Sequence, residues 1–185
     1  MPLILLDRDG VINEDSDNYI RSAEEWIPVP GSIEAIARLS QAGYTIGVCT
    51  NQSGLGRGYF SEDDLSAMHR KMCALVGAHG GVINGIFFCP HLPDAECDCR
   101  KPLPGLIDQA AAAFNAKVKG VPFVGDSIKD LQAAVARDCQ PVLVKTGKGE
   151  KSFAQLAEHG SLSHTQVFAT LADFADDLLA ARAKQ

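Results

Sequence analysis

The sequence predicts an α/β protein of three layers, in which a doubly wound, mostly parallel β-sheet lies between two layers of helices. Short apolar runs of strand length alternate along the chain with amphipathic segments of helix length, a pattern typical of this class. Several of the apolar runs also stop abruptly at polar residues. With 185 residues, of which 46% are hydrophobic, the chain fits one domain over residues 1–185 with a sizeable core.

The first predicted strand, Leu3 to Leu6, ends in two carboxylates, Asp7 and Asp9, and Gly10 follows at once. Side chains two residues apart on an extended backbone point the same way, so both carboxylates can face one pocket. Ligand sites in open parallel sheets lie at the carboxyl ends of the strands. Taken alone, the pair could equally be two solvated acids at the start of a loop.

The next part of the chain supplies a loop, two helices and a second strand. A long polar loop over 11–30 precedes a helix that begins at 31–32 and stops at Gly43. The second predicted strand covers 44–49 and ends at Thr50. Ser61 then caps a helix whose first turn carries three acids, a position that the helix dipole favours.

The second half of the chain repeats the alternation of strands and helices. The predicted elements are a strand over 85–89, an irregular segment over 90–104, a helix around 107–114, a strand over 121–124, a helix to about 137, a strand over 141–145, a weak strand near 167 and a last helix from 170. The segments that separate Asp9, Thr50 and Lys101 are too short for a separate cap domain. We therefore expect an open pocket lined by the loops 15–20, 53–59 and 90–101.

Charge and hydropathy argue against two classes of protein. The net charge of −6 disfavours a nucleic-acid partner, which normally requires a basic face. No apolar stretch approaches the roughly 20 residues of a membrane helix, and the N-terminus lacks the basic region of a signal peptide. We therefore expect a cytoplasmic monomer whose partner is a small molecule, with its thiols reduced. Cys49, Cys73 and Cys139 lie among apolar neighbours and are expected to be small core residues.

Four residues within a short segment have the types and proximity of metal ligands: Cys89, His91, Cys97 and Cys99. Three thiolates and one imidazole match a closed, structural zinc site. A buried pair of free thiols or an incidental histidine is the alternative. Zinc would hold the loop over 89–101 in one conformation and so fix the positions of Arg100 and Lys101. The other histidines are expected at the surface: His69, His79, His159 and His164.

Polar residues that follow four predicted strands would meet at one edge of the sheet. They are Asp7 with Asp9, Thr50, Arg100 with Lys101, and Asp126 with Asp130. Each alone has an ordinary interpretation, as a strand-end hydroxyl, a solvated cation or a helix cap. Together they offer a nucleophile, a second acid, a hydroxyl donor, an ammonium and a metal-binding acid, which are the groups that phosphoryl transfer uses.

These motifs resemble those of a known family. The ordered set Asp7-x-Asp9, Thr50-Asn51, Lys101-Pro102 and Gly125-Asp126-x3-Asp130 is similar to the haloacid dehalogenase superfamily of phosphatases and spans about two-thirds of the chain. The fuller strings resemble its branch of heptose 1,7-bisphosphate 7-phosphatases, whose nearest relatives are histidinol-phosphate phosphatases. These strings are Asp7-Arg8-Asp9-Gly10, Thr50-Asn51-Gln52-Ser53-Gly54, Cys89-Pro90-His91 and Cys97-Asp98-Cys99-Arg100-Lys101-Pro102. Val11 stands where threonine is more usual, and the loop between Asp15 and Tyr19 has one residue more than the family pattern.

The resemblance implies an Mg²⁺-dependent phosphatase that forms an aspartyl phosphate, in the synthesis of the heptose precursor of lipopolysaccharide. Asp7 would be the nucleophile and Asp9 the general acid and base, while Thr50 and Lys101 would hold the phosphoryl oxygens. The Asp7 and Asp126 carboxylates and the Asp9 carbonyl would bind Mg²⁺. Substrate contacts are expected from Asp15, Ser16, Tyr19, Asn51, Gln52, Ser53, Arg57, Arg100 and Lys129. For Lys129, plain solvation is the alternative.

Three rival interpretations exist. A nucleotide-binding oxidoreductase is indicated by Gly54-Leu55-Gly56-Arg57 after a strand, but Tyr59 stands where the third glycine of that fingerprint is required. A zinc-stabilised binding module without catalysis would leave the cluster of acids unexplained. A histidinol-phosphate phosphatase remains the alternative within the family, although Arg57 and Arg100 suit a second anionic group better.

Overall fold

The computed structural model describes residues 2–184 and contains one six-stranded sheet. The strands are β1 (Leu3–Leu6), β2 (Thr45–Asn51), β3 (Gly85–Cys89), β4 (Pro122–Gly125), β5 (Gln140–Val144) and β6 (Gln166–Phe168). Their order in the sheet is β3-β2-β1-β4-β5-β6, and every neighbouring pair is parallel. The doubly wound sheet that the alternating pattern predicts is therefore confirmed.

Helices connect the strands and cover both faces of the sheet. They are α1 (Ser32–Gln41), α2 (Ser53–Gly56), α3 (Glu62–Ala78), α4 (Gly105–Ala113), α5 (Ile128–Val135), α6 (Gly149–Gln155) and α7 (Leu171–Ala183), with two 3₁₀ turns at Leu156–Glu158 and Gly160–Leu162. Ser61, Ser127 and Thr170 each cap a helix with a reciprocal capping box. No helix among residues 2–184 has both the length and the apolar character needed to cross a membrane.

The core lies in two layers, one on each side of β1. Side chains alternate along a strand, so Ile4 and Leu6 pack with the apolar faces of α1, α3 and α7, whereas Leu3 and Leu5 pack with α4 and α5. Both faces of β1 are buried, which explains why its sequence is uniformly apolar. The three layers agree with the sequence-based expectation.

The order of the strands determines where the site forms. The chain leaves β1 on one side toward β2 and later returns to its other side as β4, so the sheet changes winding direction at β1. Such a switch point opens a crevice beyond the carboxyl ends of the strands. The ends of β1, β2 and β4 place Asp7, Thr50 and Asp126 at this crevice.

Several local expectations were wrong. The strand expected over 44–49 runs on through Thr50 to Asn51, and part of the loop expected over 53–59 forms the one-turn helix α2. The segment between β5 and β6, which showed no element in the sequence, contains α6 and the two 3₁₀ turns. These pieces bury few apolar side chains, so they leave little periodic signal.

Three residues have an environment that differs from the expectation. Cys73, expected in the core, is half-buried on α3, and His159, expected at the surface, is half-buried between the two 3₁₀ turns. His69, expected at the surface, is also only partly accessible, because its ring packs against the buried guanidinium of Arg8.

Candidate active site

A cavity of about 480 Å³ lies at the switch point and gathers all but one of the residues predicted for catalysis, substrate contact and Mg²⁺ binding. From that set it is lined by Asp7, Asp9, Asp15, Ser16, Tyr19, Thr50, Asn51, Gln52, Ser53, Arg100, Lys101, Asp126 and Lys129. Arg57, expected among the substrate contacts, is instead exposed just beyond α2 and does not line the cavity. Asp130, Lys148, Lys151 and Ser152 also line it. Of these, only Asp130 belonged to a motif recognised in the sequence.

Lys101 is the buried cation at the floor of the cavity. Its Nζ lies 2.8 Å from Asp7 Oδ1 and 2.6 Å from Asp130 Oδ1, and its side chain is 2% exposed. Burial alone would lower the pKa of Lys101, but the charges of Asp130 and Asp7 outweigh it and raise that pKa. The ammonium therefore stays charged at neutral pH, and its contact with Asp7 Oδ1 holds that carboxylate in place.

The acids at the floor repel each other despite this cation. Burial, followed by the charge of Asp130, raises the pKa of Asp7 to about 7. Burial and the charges of Asp130 and Asp7 raise the pKa of Asp126 to about 9. Carboxylates that share a buried site can all ionise only if further positive charge is present. The electrostatics of the floor therefore favour a bound cation.

The donor set fits a hard divalent cation. Carboxylate oxygens of Asp7, Asp126 and Asp130 all lie within 4.8 Å of one another. Asp130 is already engaged, because Oδ1 binds Lys101 and Oδ2 accepts from the Ser127 amide and hydroxyl. Asp7 and Asp126 thus remain as the carboxylates that could hold a metal, and oxygen ligands suit Mg²⁺.

Asp126 is held in position by the segment that follows β5. No motif in the sequence indicated this role for the segment. The Lys148 amide donates to Asp126 Oδ2 at 2.8 Å, and the Ser152 hydroxyl donates to the Asp126 carbonyl at 2.8 Å. A Cβ on Gly10 would lie 2.0 Å from Asp126 Oδ2, and one on Gly147 would lie 2.3 Å from it. Both glycines therefore leave the space that this carboxylate occupies.

Asp9 accepts four hydrogen bonds from three side chains. Arg8 donates to Oδ1 through Nε and Nη2 at 3.1 and 2.8 Å, Asn13 donates to Oδ1 at 2.9 Å, and Gln52 donates to Oδ2 at 2.8 Å. Burial would raise the pKa of Asp9, but Arg8 and the amide donors together lower it. Sequence reasoning missed the contributions of Arg8 and Asn13. The available signal was a basic residue between two acids at the end of a fully buried strand.

Two predicted substrate contacts also position their neighbours. The Asn51 side chain donates to the Lys101 carbonyl at 3.1 Å and accepts from the Lys101 amide at 3.0 Å. The Gln52 amide donates to Thr50 Oγ1 at 2.9 Å as well as to Asp9. Asn51 and Gln52, at the end of β2, thus connect Thr50, Lys101 and Asp9 in one hydrogen-bond network.

The cysteine–histidine loop brings its four predicted ligands together. His91 Nδ1 lies 3.4 Å from Cys89 Sγ and 3.3 Å from Cys99 Sγ, and the sulfurs of Cys89 and Cys97 are 3.9 Å apart. All four ligand atoms fall within 4.8 Å of one another. Burial and the neighbouring thiols raise the pKa of Cys99 to about 12. For Cys97, burial would raise the pKa, but hydrogen bonds from the Arg100 amide and the neighbouring thiols lower it. Three sulfurs and one nitrogen at these separations could hold a tetrahedral zinc ion.

The loop before α1 forms one wall of the cavity. Tyr19 has a left-handed backbone, with φ of 65°, and its ring meets Tyr59 edge to face at 5.2 Å between centres. Asp15 Oδ2 lies 3.1 Å from Lys148 Nζ, which links this loop to the start of α6. Ser16 and the exposed Lys129 also line the cavity.

Comparisons with known proteins agree with this geometry. A family model described as HAD-hydrolase-like matches residues 98–174. The chain is 53% identical over 179 residues to a D-glycero-beta-D-manno-heptose-1,7-bisphosphate 7-phosphatase of Neisseria meningitidis, covering 97% of this chain and 95% of that protein. It is 54% identical over 177 residues to a protein of the same name from Pseudomonas aeruginosa, covering 96% and 97%.

A solved structure has the same fold along nearly its whole length. The D,D-heptose 1,7-bisphosphate phosphatase of B. bronchiseptica, complexed with magnesium and phosphate, superposes with a TM-score of 0.94 at 50% identity and covers 98% of this chain and 99% of its own. Identity of this extent, together with the four motifs at the sheet edge, identifies the family. The chain belongs to the haloacid dehalogenase-like hydrolases, within the family of the heptose 1,7-bisphosphate 7-phosphatases.

Proposed function

We propose that this protein removes the 7-phosphate of D-glycero-D-manno-heptose 1,7-bisphosphate by way of an aspartyl phosphate at Asp7. The observation that carries the proposal is the floor of the cavity, where Asp7 lies between a buried ammonium and a second buried carboxylate, Asp126. The names of the relatives point to the substrate. The same reaction would serve the synthesis of the heptose precursor of lipopolysaccharide.

Asp7, Asp126 and the Asp9 carbonyl would hold Mg²⁺. When bound, the ion neutralises the repulsion between the attacking carboxylate and the phosphate, and it stabilises the charge that develops on the phosphoryl oxygens. The B. bronchiseptica relative was solved with magnesium and phosphate, in agreement with this assignment. The oxygen donors of this chain's floor support the same choice of metal.

Two bond-breaking steps follow from the positions of Asp7 and Asp9. In the first, an Asp7 carboxylate oxygen attacks phosphorus, the bond from phosphorus to the sugar oxygen breaks, and Asp9 gives a proton to that oxygen. Because Arg8 and the amide donors hold the pKa of Asp9 below its usual range in the free protein, Asp9 would take up this proton when the anionic substrate binds. In the second, Asp9 takes a proton from water, the water oxygen attacks phosphorus, and the acyl phosphate bond breaks. Inorganic phosphate leaves and Asp7 is regenerated.

Thr50 and Lys101 would hold the phosphoryl oxygens as negative charge builds on them. Thr50 Oγ1 accepts from Gln52, and its own proton has only a long contact of 3.5 Å with the Asn51 carbonyl. The hydroxyl can therefore turn its proton toward a phosphoryl oxygen. Lys101 is already fixed beside Asp7 and needs no rearrangement.

Cations at the mouth of the cavity support a substrate with a second anionic group. Arg100, Lys129, Lys148 and Lys151 line the cavity together with two acids, Asp17 and Asp15, of which Asp15 is paired with Lys148. Histidinol phosphate carries a cationic amine and would gain less from such a lining. Ser16 and Tyr19 line the same loop and would complete the contacts with the sugar.

We also propose that the cysteine–histidine loop binds a structural zinc ion. Its four ligands leave no open coordination position, so the metal would hold the loop rather than react. Arg100 and Lys101 follow Cys99 directly, and a closed loop would limit their freedom.

All six cysteines are unpaired, which supports a reducing compartment such as the cytoplasm.

The test compares kcat/KM for the heptose bisphosphate and for histidinol phosphate, with Mg²⁺ present. We expect a ratio of at least about 100 in favour of the bisphosphate. We also expect no phosphate release by an Asp7→Asn variant whose circular dichroism shows that it is folded. A preference for histidinol phosphate would replace the proposed substrate. Turnover by Asp7→Asn would remove the proposed nucleophile.

A further inference from the structure

Arg8 lies between the two reacting aspartates, and its guanidinium is completely buried. Two of its nitrogens, Nε and Nη2, donate to Asp9 Oδ1. The third, Nη1, lies 3.3 Å from Nε2 of His69, a residue of α3 that is 61 positions away in the sequence. The guanidinium is therefore held at two ends, by the carboxylate that it orients and by an imidazole.

The chemistry of arginine determines the state of His69. A guanidinium only donates hydrogen bonds, so Nε2 must accept and the ring must be neutral with its proton on Nδ1. Burial and the charge of Arg8 lower the pKa of His69 to about 4, against a smaller opposing effect of Asp9. The imidazole thus remains an acceptor throughout the neutral range.

The hydrogen bonds to Asp9 make its two oxygens unequal. Oδ1 receives Arg8 twice and Asn13 once, whereas Oδ2 receives only Gln52. A carboxylate oxygen has two lone pairs, so Oδ1 is fully occupied and Oδ2 keeps one free. Any proton that Asp9 transfers must therefore be carried on Oδ2. Rotation of the Arg8 guanidinium would remove two of the three donors that maintain this difference.

From this geometry we propose that His69 is a positioning residue for proton transfer by Asp9. By accepting from Nη1 it fixes the plane of the Arg8 guanidinium, and Arg8 in turn presents Asp9 Oδ2 to the sugar oxygen. The proposal rests on the acid and base role of Asp9 in the proposed function. It gives α3, which carries none of the sequence motifs of the site, a part in the reaction.

The test uses two phosphates whose leaving groups differ in their need for a proton. The sugar alkoxide of the heptose bisphosphate requires one as the ester bond breaks, whereas the phenolate of p-nitrophenyl phosphate leaves without it. The measured quantity is kcat/KM, which covers the steps up to departure of the leaving group. The variants are His69→Leu, which removes the acceptor, His69→Gln, which keeps one, and His164→Leu, which removes an exposed imidazole elsewhere.

For His69→Leu we expect kcat/KM to fall about 10- to 100-fold with the heptose bisphosphate and less than about 3-fold with p-nitrophenyl phosphate, since a positioned general acid contributes about 10²–10⁴. His69→Gln and His164→Leu should stay within about 3-fold of wild type with both substrates. Thermal unfolding of each variant checks that the protein is folded.

Three results would overturn the proposal: equal losses with both phosphates, no loss with either, or no recovery in His69→Gln. Failure of the proposed function would look different, because wild-type protein itself would then release no phosphate from the heptose bisphosphate. That result would overturn the inference as well as the function on which it rests. If His69→Leu does not fold, the comparison is made with His69→Asn, whose shorter amide cannot span the distance to Arg8 in the same way.

Discussion

Replacement of Lys101 by methionine tests the electrostatics of the cavity floor most sharply. The substitution keeps the length of the side chain but removes the charge that lies 2.8 Å from Asp7 and 2.6 Å from Asp130. Breaking a buried ion pair by removing one partner typically costs about 3–5 kcal/mol, because the other charge stays buried and uncompensated. The two acids are not equally vulnerable to this loss.

Asp7 can respond to the loss of Lys101 by taking up a proton. The pKa of Asp7 is already about 7 with Lys101 in place, so at neutral pH it can take up a proton at a cost of well under about 1 kcal/mol. Asp130 is the more deeply buried of the two acids, with a side chain 2% exposed against 11% for Asp7, and its Oδ2 already accepts from the amide and the hydroxyl of Ser127 in the capping box of α5. The penalty therefore falls on Asp130, and we expect Lys101→Met to lower the free energy of unfolding by about 3 kcal/mol.

Urea unfolding in Mg²⁺-free buffer measures this effect, with the fluorescence of Trp26, the single and fully buried tryptophan, as the signal. The double variant Lys101→Met/Asp130→Asn should recover at least half of the loss, because a neutral amide requires no counter-charge. Lys119→Met, at an exposed lysine, should change stability by less than about 0.5 kcal/mol. A loss below about 1 kcal/mol in Lys101→Met, or no recovery in the double variant, would refute this reasoning.

Three further predictions concern the metals and pH. Cys97→Ser should lose bound zinc in elemental analysis, and kcat/KM should fall about 10-fold at saturating Mg²⁺; full activity of zinc-free protein would contradict this. Gly147→Ala should weaken Mg²⁺ binding about 10-fold in calorimetry by displacing Asp126, whereas Gly120→Ala, which also has positive φ but open space around it, should not. Between pH 7 and pH 5, the free energy of unfolding of wild type should fall by about 2 kcal/mol relative to that of His69→Gln. The reason is that the pKa of His69 is about 4 in the folded protein and 6.5 in the unfolded chain, so in this range only the unfolded chain binds the proton. An equal loss of stability in wild type and in His69→Gln between pH 7 and pH 5 would contradict this prediction.

The sequence predicted the fold and the convergence of the site for the same physical reason. Apolar runs as short as Leu3–Leu6 can be buried only in a sheet covered on both faces, and parallel strands deliver their ends to one edge. Asp7, Thr50 and Asp126 therefore meet whatever the exact boundaries of the strands are. The irregular loop 90–104 could be connected to them only because Lys101 matched a family motif.

Contacts between elements that are far apart along the chain leave no recognisable pattern in the sequence. His69 and Arg8 are 61 residues apart, and α3 shows only the apolar period of a helix packed on the sheet. The segment that leads into α6 positions Asp126 through the backbone N–H of Lys148, which any residue except proline could supply. Arg57 illustrates the opposite error, since a charge near a motif in sequence need not reach the cavity when a one-turn helix directs it outward.

The central claim is that Asp7 is the group that bonds to phosphorus. A crystal soaked with Mg²⁺ and beryllium fluoride, which mimics an acyl phosphate, tests it directly. We predict density continuous between beryllium and an Asp7 carboxylate oxygen, with Lys101 Nζ and Thr50 Oγ1 within hydrogen-bonding distance of the fluorines. Beryllium bonded to any other side chain, with Asp7 unmodified, would contradict the account.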